Sequence, residues 1–276
     1  MIIFVTGAAG FYGNTLVRRL VDAGKQVRAM VHDLDKAQQR LADVIDRIEL
    51  VEGDVRDREK MPELMRGATT VVHLVAIPIE KGDATYETIN TVGAINVIDA
   101  AIDVGVERFI NMSQNGAYSS SFSRFLRSKG KAQEYLVQSP LNWTTLRPSM
   151  TFGPQDEVFN ALAQLVRLIP LVYPLIGGGK TEFHPVSVYD VIEAVMRCID
   201  DESGQTSHKE YKLGGPEMLT LGDIERRILD AMDEQRALIP VPISLLMPVA
   251  WLTHHLMVDP PVSTTLLNLM RVPNVV

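Results

Sequence analysis

Short apolar runs alternate with amphipathic segments through the first half of the chain. Residues 1–5 form an apolar, β-rich run, and residues 14–21 then carry apolar side chains at helical spacing. The same reasoning predicts further strands at 26–31, 48–51, 70–75, 108–112 and 143–146, and helices at 58–66, 87–104 and 123–138. Regular alternation of strands and helices predicts an α/β fold of the Rossmann type, with a doubly wound parallel sheet covered by helices on both faces.

The pattern changes after residue 148, where proline and glycine become frequent. Three more helices are predicted there, at 159–168, 188–199 and 221–232. We therefore expect a Rossmann domain over residues 1–150. Residues 151–276 are expected to form a smaller C-terminal α/β region, interleaved with the first domain, that binds a substrate or partner.

Composition narrows the function classes. The formal net charge is −7 and no basic run is present, so a nucleic-acid partner is not expected. The single cysteine, Cys198, excludes an intrachain disulfide, and no arrangement of histidine and acidic residues predicts a metal site. The chain starts directly on an apolar strand without a signal-peptide pattern, so a cytoplasmic location is expected.

The stretch TGAAGFYG, residues 6–13, lies between the first predicted strand and the first predicted helix. Gly7 permits a tight turn, Gly10 lets the backbone approach a pyrophosphate, and Gly13 lets the helix pack closely on the sheet. The helix then starts at Phe11 and Tyr12 with its amides facing the phosphates. An ordinary glycine turn is the alternative, but this setting favours a dinucleotide site.

Further motifs resemble the extended and atypical short-chain dehydrogenases/reductases, which include the NAD-dependent epimerases/dehydratases. They are GDVRD at 53–57, HLVA at 73–76, NTVGAINVIDAA at 90–101, LRPSMTFGP at 146–154, FHPVSVYDVIEAV at 183–195 and YKLGGPEMLTLGDI at 211–224. Within that superfamily the chain looks most similar to the NAD(P)-binding accessory subunit of respiratory complex I and its relatives, followed by NmrA-like proteins. The resemblance implies phosphate binding by the three glycines, Asp54 and Val55 beside the adenine, and Ala76 beside the nicotinamide ribose. A simple turn-forming role is the alternative for Asp54.

The tip of the second strand decides between NAD and NADP. An acid there would bind both ribose hydroxyls of NAD, whereas an arginine would pair with the 2′-phosphate of NADP. This chain has His32 at that tip, a weaker phosphate partner than arginine. The next residue, Asp33, would repel a 2′-phosphate, whereas Arg28 and Lys36 would attract it. We expect NAD(P) as cofactor with NADP slightly favoured, and a solvated turn residue is the alternative for His32.

The segment RFLRSKGKAQEY, residues 124–135, departs from the family pattern. In the dehydrogenases that it resembles, a tyrosine lies four residues before a lysine, so both project from one helix face beside a serine. Here Lys129 and Ser113 are present, but Phe125 replaces the tyrosine and carries no exchangeable proton. Lys129 is expected to bind the ribose, with a solvated helix lysine as the alternative. Tyr118, in the preceding loop, is a candidate for the proton donor.

Two functions follow. The first is an NAD(P)(H)-binding redox sensor, scaffold or accessory subunit, and the second is an active NAD(P)-dependent oxidoreductase or epimerase/isomerase with a non-standard proton donor. His73 and His184 are further candidates for that donor. The partners expected are the dinucleotide and an unidentified small molecule or protein. The apolar segment 238–258 contains three prolines, so we expect it to close the small region or contact a partner or membrane surface, not to span a bilayer.

Overall fold

The structure is a computed structural model that describes residues 1–156, 158–169, 171–256 and 264–276. The chain forms two compact units. The first comprises Met1–Pro148 and Val188–Leu213, and the second comprises Ser149–Ser187 and Gly214–Val276. The predicted helix 188–199, expected in the C-terminal region, therefore belongs to the first unit, because the chain returns to that unit after residue 187.

Strands and helices alternate along most of the chain. In chain order they are β1 (Ile2–Thr6), α1 (Phe11–Asp22), β2 (Gln26–Val31), α2 (Leu34–Arg40), β3 (Glu49–Glu52), α3 (Met61–Met65), β4 (Ala68–His73), a π-helix (Tyr86–Gly93) that continues into α4 (Ala94–Asp103), β5 (Arg108–Met112), α5 (Arg124–Val137), β6 (Trp143–Pro148), β7 (Thr151–Phe152), α6 (Val158–Leu168), β8 (Val172–Ile176), β9 (Glu182–Phe183), β10 (Val186–Ser187), α7 (Val188–Ile199), β11 (Lys209–Leu213), β12 (Leu219–Thr220), α8 (Leu221–Ala231), β13 (Ala237–Val241), α9 (Ile243–Leu256) and α10 (Thr264–Leu269).

Seven of the described strands form one sheet in the order β11-β6-β5-β4-β1-β2-β3, and all neighbours are parallel. Helix α1 packs on α7, while α4 packs on α3 and α5. Helices cover both faces, and Ile3, Phe4 and Val5 of the central strand β1 are fully buried. The predicted Rossmann-type fold is confirmed. Strand order reverses at β1, which opens a ligand crevice at the carboxyl ends of β1 and β4.

Helix α2 and strand β11 of the first unit are absent from the prediction. The sequence predicts a charged turn at 32–36, whereas the structure starts α2 at Leu34, because the Asp33 carboxylate caps the helix by accepting the Lys36 N–H at 2.9 Å. Strand β11 is not predicted, because its sequence KEYKL alternates charged and apolar residues, as solvated edge strands do.

The second unit is built from small sheets and helices. Strands β7 and β10 pair in parallel, as do β8 and β13, while β9 and β12 are antiparallel. Among the described side chains of α9, three large apolar ones are more than half exposed, Leu245, Trp251 and Leu252. Residues 257 and 258 of the predicted contact segment lie outside the described residues. Across the part of the chain that is described, no helix is both long and apolar enough to cross a bilayer.

A buried carboxyl group lies in the core of the second unit. Glu225, on α8, is 0% exposed, and one of its oxygens accepts the Ile176 N–H at 3.3 Å. The other oxygen has no hydrogen-bond partner among the described residues. Burial raises the pKa of Glu225 from its ordinary value of 4.5 to about 8. The group is therefore largely protonated at neutral pH in the folded chain.

We expect Glu225→Gln to stabilise the protein in a pH-dependent way. The pKa of Glu225 is higher in the folded chain, about 8, than its ordinary value of 4.5. Between these pH values the folded chain binds more protons than the unfolded chain, so wild-type stability falls as pH rises. The variant should match the wild type below about pH 4 and exceed its free energy of unfolding by on the order of 4 kcal/mol at about pH 8. Urea unfolding followed by circular dichroism measures this. The control is Glu182→Gln, an exposed carboxylate of the same unit, and a Glu225→Gln difference that stays constant with pH would refute the prediction.

Candidate functional site

The glycine turn joins β1 to α1 at the crevice. Gly7 has a φ of +68°, a left-handed conformation that favours glycine, and its carbonyl accepts the Gly10 N–H at 2.9 Å. A Cβ at Gly13 would lie 2.1 Å from the Gly7 oxygen, so the helix can begin here only with glycine at that position. A Cβ at Gly10 would meet that oxygen at 3.1 Å and no other heavy atom of the described residues within 4 Å, its chain neighbours apart. The turn thus presents an open backbone face at Gly10.

The start of α1 is suited to an anion. Its N-cap is Gly10, no side chain caps it, and its first turn carries no acidic residue. The first helical hydrogen bond runs from the Asn14 N–H to the Gly10 oxygen at 3.0 Å, while the rings of Phe11 and Tyr12 pack at 4.9 Å between centroids. The positive end of the helix dipole is not offset by a carboxylate. Together with the open face at Gly10, this fits the pyrophosphate of a dinucleotide.

Arg56 engages the acid predicted to lie beside the adenine. Its Nη2 donates to Asp54 Oδ2 at 2.6 Å, and its Nε lies 3.1 and 3.0 Å from the two carboxylate oxygens. This pairing lowers the pKa of Asp54. The His32 ring is 77% exposed at the side chain, with Nδ1 3.7 Å from Asp54 Oδ2. Sequence reasoning missed Arg56, although its place two residues after Asp54 in GDVRD was a signal for a turn closed by that aspartate.

Two buried asparagines hold the backbone around the other predicted cofactor residues. Asn96 Nδ2 donates to the Val55 oxygen at 2.9 Å. Asn90 Oδ1 accepts the Ile77 N–H at 2.8 Å and so positions the half-buried Ala76 just before it. Both asparagines belong to the motif NTVGAINVIDAA, but sequence reasoning assigned neither of them a role.

Lys129 and Ser113 come together at the carboxyl end of β5. Lys129 Nζ donates to the Met112 oxygen at 3.0 Å, which places the ammonium group beside the neighbouring Ser113. Burial lowers the pKa of Lys129 to about 8. The Ser113 hydroxyl is buried and has no hydrogen-bond partner among the described residues. Such an orphaned hydroxyl is the group that a polar ligand would satisfy.

His73 adds a neutral imidazole at the end of β4. Thr6 Oγ1 accepts the Leu74 N–H at 3.2 Å and shares a second hydrogen bond with His73 Nδ1, 2.9 Å away. Burial, and next the charge of Lys129, lower the pKa of His73 to about 3. The ring therefore stays neutral and is a poor proton donor at neutral pH. The other candidate histidine, His184, accepts the Val276 N–H at its Nδ1, 3.0 Å away.

Phe125 lies one helical turn before Lys129 on α5. Its side chain is buried, and its ring meets Tyr86 edge to face with 5.7 Å between centroids. The Tyr86 hydroxyl donates to the Pro78 oxygen at 2.8 Å. The position that would supply the proton therefore holds a packed phenyl ring.

Tyr118 lies against a different group. The guanidinium of Arg147 is 4.4 Å from the Tyr118 ring centroid, and Arg147 pairs with Glu210 at 3.0 Å. These three residues line a cavity of about 250 Å³ together with Gly130 and Gln133. The structure brings the Tyr118 ring to Arg147, and no hydrogen bond joins Tyr118 to Lys129 among the described residues.

Comparison with known proteins places these features in context. The model of a family described as NAD(P)H-binding matches residues 7–164. The chain is 30% identical over 248 residues to NADH dehydrogenase (ubiquinone) 1 alpha subcomplex subunit 9, mitochondrial, of Arabidopsis thaliana; the match covers 89% of this chain but 61% of the plant protein. It is 26% identical over 270 residues to UDP-glucose 4-epimerase of Vibrio cholerae, covering 87% of this chain and 79% of the epimerase.

A solved structure shares the fold. UDP-glucuronic acid 4-epimerase of Bacillus cereus, crystallised with NAD, superposes with a TM-score of 0.77 at 19% identity, covering 88% of this chain and 87% of the epimerase. At this level of identity the likeness concerns the fold.

Proposed function

Because the chain belongs to the family of NAD(P)H-binding proteins, we propose that it binds a nicotinamide dinucleotide, NADP(H) in preference to NAD(H), without classical turnover. It would serve as a redox sensor, scaffold or accessory subunit. The observation that carries this proposal is the packed ring of Phe125 beside an otherwise assembled Ser113 and Lys129. A bound NAD(P)H supplies a hydride, but reduction of a carbonyl also needs a proton donor, and a phenyl ring has none.

The residues present fit the dinucleotide. Gly7, Gly10 and Gly13 would hold the pyrophosphate at the start of α1, and Lys129 would bind a ribose. The preference for NADP(H) is supported by the acids near the tip of β2. Asp33 Oδ1 caps α2 and Asp54 is paired with Arg56, so both carboxylates already have partners within the protein.

An accessory role is supported by the relatives. The plant relative is named as a subunit of NADH dehydrogenase, and this chain spans 61% of its length. By analogy the chain would join a larger protein assembly, with the exposed apolar side chains of α9 contacting that partner or a membrane surface.

Two measurements on the purified protein distinguish dinucleotide binding from catalytic turnover. We expect saturable calorimetric binding of NADPH, with a Kd on the order of micromolar. We also expect no sustained loss of the nicotinamide absorbance when NADPH is mixed with a panel of aldehydes, ketones and quinones. Steady turnover with any of these compounds would contradict the non-catalytic role, and absence of binding would contradict the proposal as a whole.

An active oxidoreductase or epimerase/isomerase is the second candidate. It is favoured by the orphaned Ser113 hydroxyl and by the lowered pKa of Lys129, both of which suit a substrate carbonyl or alkoxide. If turnover is found, Ser113→Ala and Lys129→Ala should each reduce it by at least about tenfold. Turnover that survives both changes would place the reaction at other residues.

A further inference from the structure

One arginine near the glycine turn lacks an acidic partner. Residues 1–60 contain seven arginines, and Arg40 is the exception among them: no carboxylate of the described residues lies within 4.0 Å of its guanidinium. The other six form ion pairs, which are Arg18 with Asp43, Arg19 with Glu193, Arg28 with Glu49, Arg47 with Asp22, Arg56 with Asp54, and Arg58 with Asp99. Arg40 is thus a permanent positive charge that the neighbouring acids do not neutralise.

Arg40 is held against the turn. Its Nη1 donates to the Ala9 oxygen at 2.9 Å, which uses one of the five N–H donors of a guanidinium. Arg18 fixes the end of α2, because its Nη2 donates to the Arg40 oxygen at 2.6 Å while its Nη1 donates to the Asn14 oxygen at 2.9 Å. The Asp43 carboxylate pairs with Arg18, not with Arg40. The position of Arg40 therefore follows from packing between α1 and α2.

We propose that Arg40 binds the 2′-phosphate of NADP(H) and sets the preference for NADP(H) over NAD(H). This rests on the proposed dinucleotide binding. In a Rossmann fold the adenosine ribose lies between the glycine turn and the tip of the second strand, and an arginine near that ribose accommodates the 2′-phosphate. Arg40 contacts the turn itself, and its remaining donors match phosphate oxygens.

His32 is the weaker candidate for the same role. It occupies the tip of β2, but its side chain is 77% exposed, and an imidazole has fewer N–H donors for a phosphate than a guanidinium has. Asp33 beside it would repel a phosphate, although its carboxylate is engaged in capping α2. The assignment thus moves the specificity determinant from the strand tip, where sequence reasoning places it, to the last residue of α2.

The test compares four probes, NADPH, NADH, 2′,5′-ADP and 5′-AMP, by calorimetry at constant ionic strength. Arg40→Gln should weaken NADPH and 2′,5′-ADP by about 10- to 100-fold and change NADH and 5′-AMP by less than about threefold. Arg40→Lys keeps the charge and should retain most of the preference. The matched control is Arg47→Gln, whose arginine also donates to a backbone oxygen, that of Val21 at 3.0 Å. It should bind all four probes like the wild type.

Each outcome decides a different question. Equal weakening of NADPH and NADH by Arg40→Gln would mean that Arg40 supports the pyrophosphate or the turn, and would overturn the proposal, as would unchanged binding. The wild type must also bind 2′,5′-ADP at least about tenfold more tightly than 5′-AMP, a requirement that holds even if the variant fails to fold. A wild type that binds no probe refutes the proposed function itself, whereas one that binds dinucleotides without this preference refutes the role of Arg40.

Discussion

Gly10→Val is expected to abolish dinucleotide binding and to leave the fold intact. Gly10 has φ −77° and ψ −176°, an extended conformation that valine adopts readily. The new Cβ would lie 3.1 Å from the Gly7 oxygen, which a small shift relieves, and the two methyl groups would occupy the face that a pyrophosphate approaches. Affinity for NADPH should fall by more than about 100-fold in calorimetry, while the thermal unfolding midpoint changes by less than about 5 °C.

A glycine away from the turn provides the control. Gly105 has φ +72°, and a Cβ there would meet no heavy atom within 4 Å among the described residues. Gly105→Ala should therefore cost about 1 kcal/mol of stability through backbone strain and leave binding unchanged. Near-normal NADPH binding by a folded Gly10→Val protein would show that the dinucleotide does not bind at this turn.

The sheet was largely predictable because its central strands are buried on both faces. Strand β1 reads as a continuous apolar run that ends at Thr6 and Gly7, and β5 keeps an apolar centre although it carries Arg108 and Asn111. The edge strand β11 carries charges that match a loop equally well, so its pattern was not distinctive. The return of residues 188–213 to the first unit depends on contacts distant in sequence, which a local pattern does not record.

In the candidate site, too, some features could be predicted from the sequence and others could not. The resemblance to the dehydrogenases implies that Ser113 and Lys129 meet, and local patterns predict the strand end and the helix that carry them. The contacts of Arg56 with Asp54 and of Arg40 with Ala9 involve long side chains with many rotamers, and the second joins elements 31 residues apart. Arg40 also looks like an ordinary solvated helix residue until its lack of a carboxylate partner is visible in three dimensions.

Phe125→Tyr is expected to create or strongly increase NADPH-dependent carbonyl reduction. Positions 125 and 129 lie one turn apart on α5, so a phenol would project beside the Lys129 ammonium, whose charge lowers the phenol pKa and favours proton donation to a carbonyl oxygen. A positioned general acid contributes about 100- to 10,000-fold to the rate, so the panel of carbonyl compounds should show a gain of at least about 100-fold over the wild type. The measurement is the loss of nicotinamide absorbance at saturating NADPH.

Two controls test whether the gain in rate depends on a tyrosine and a lysine on the same face of α5. Phe125→Tyr combined with Lys129→Ala should lose most of the gain, because the phenol would no longer have the adjacent positive charge. Phe122→Tyr adds the same phenol three residues earlier on a fully exposed side chain and should remain inactive. If Phe125→Tyr binds NADPH as the wild type does yet gains no rate with any compound, the missing proton donor is not what prevents turnover. The cause of the missing turnover would then lie in the part of the site that binds the substrate.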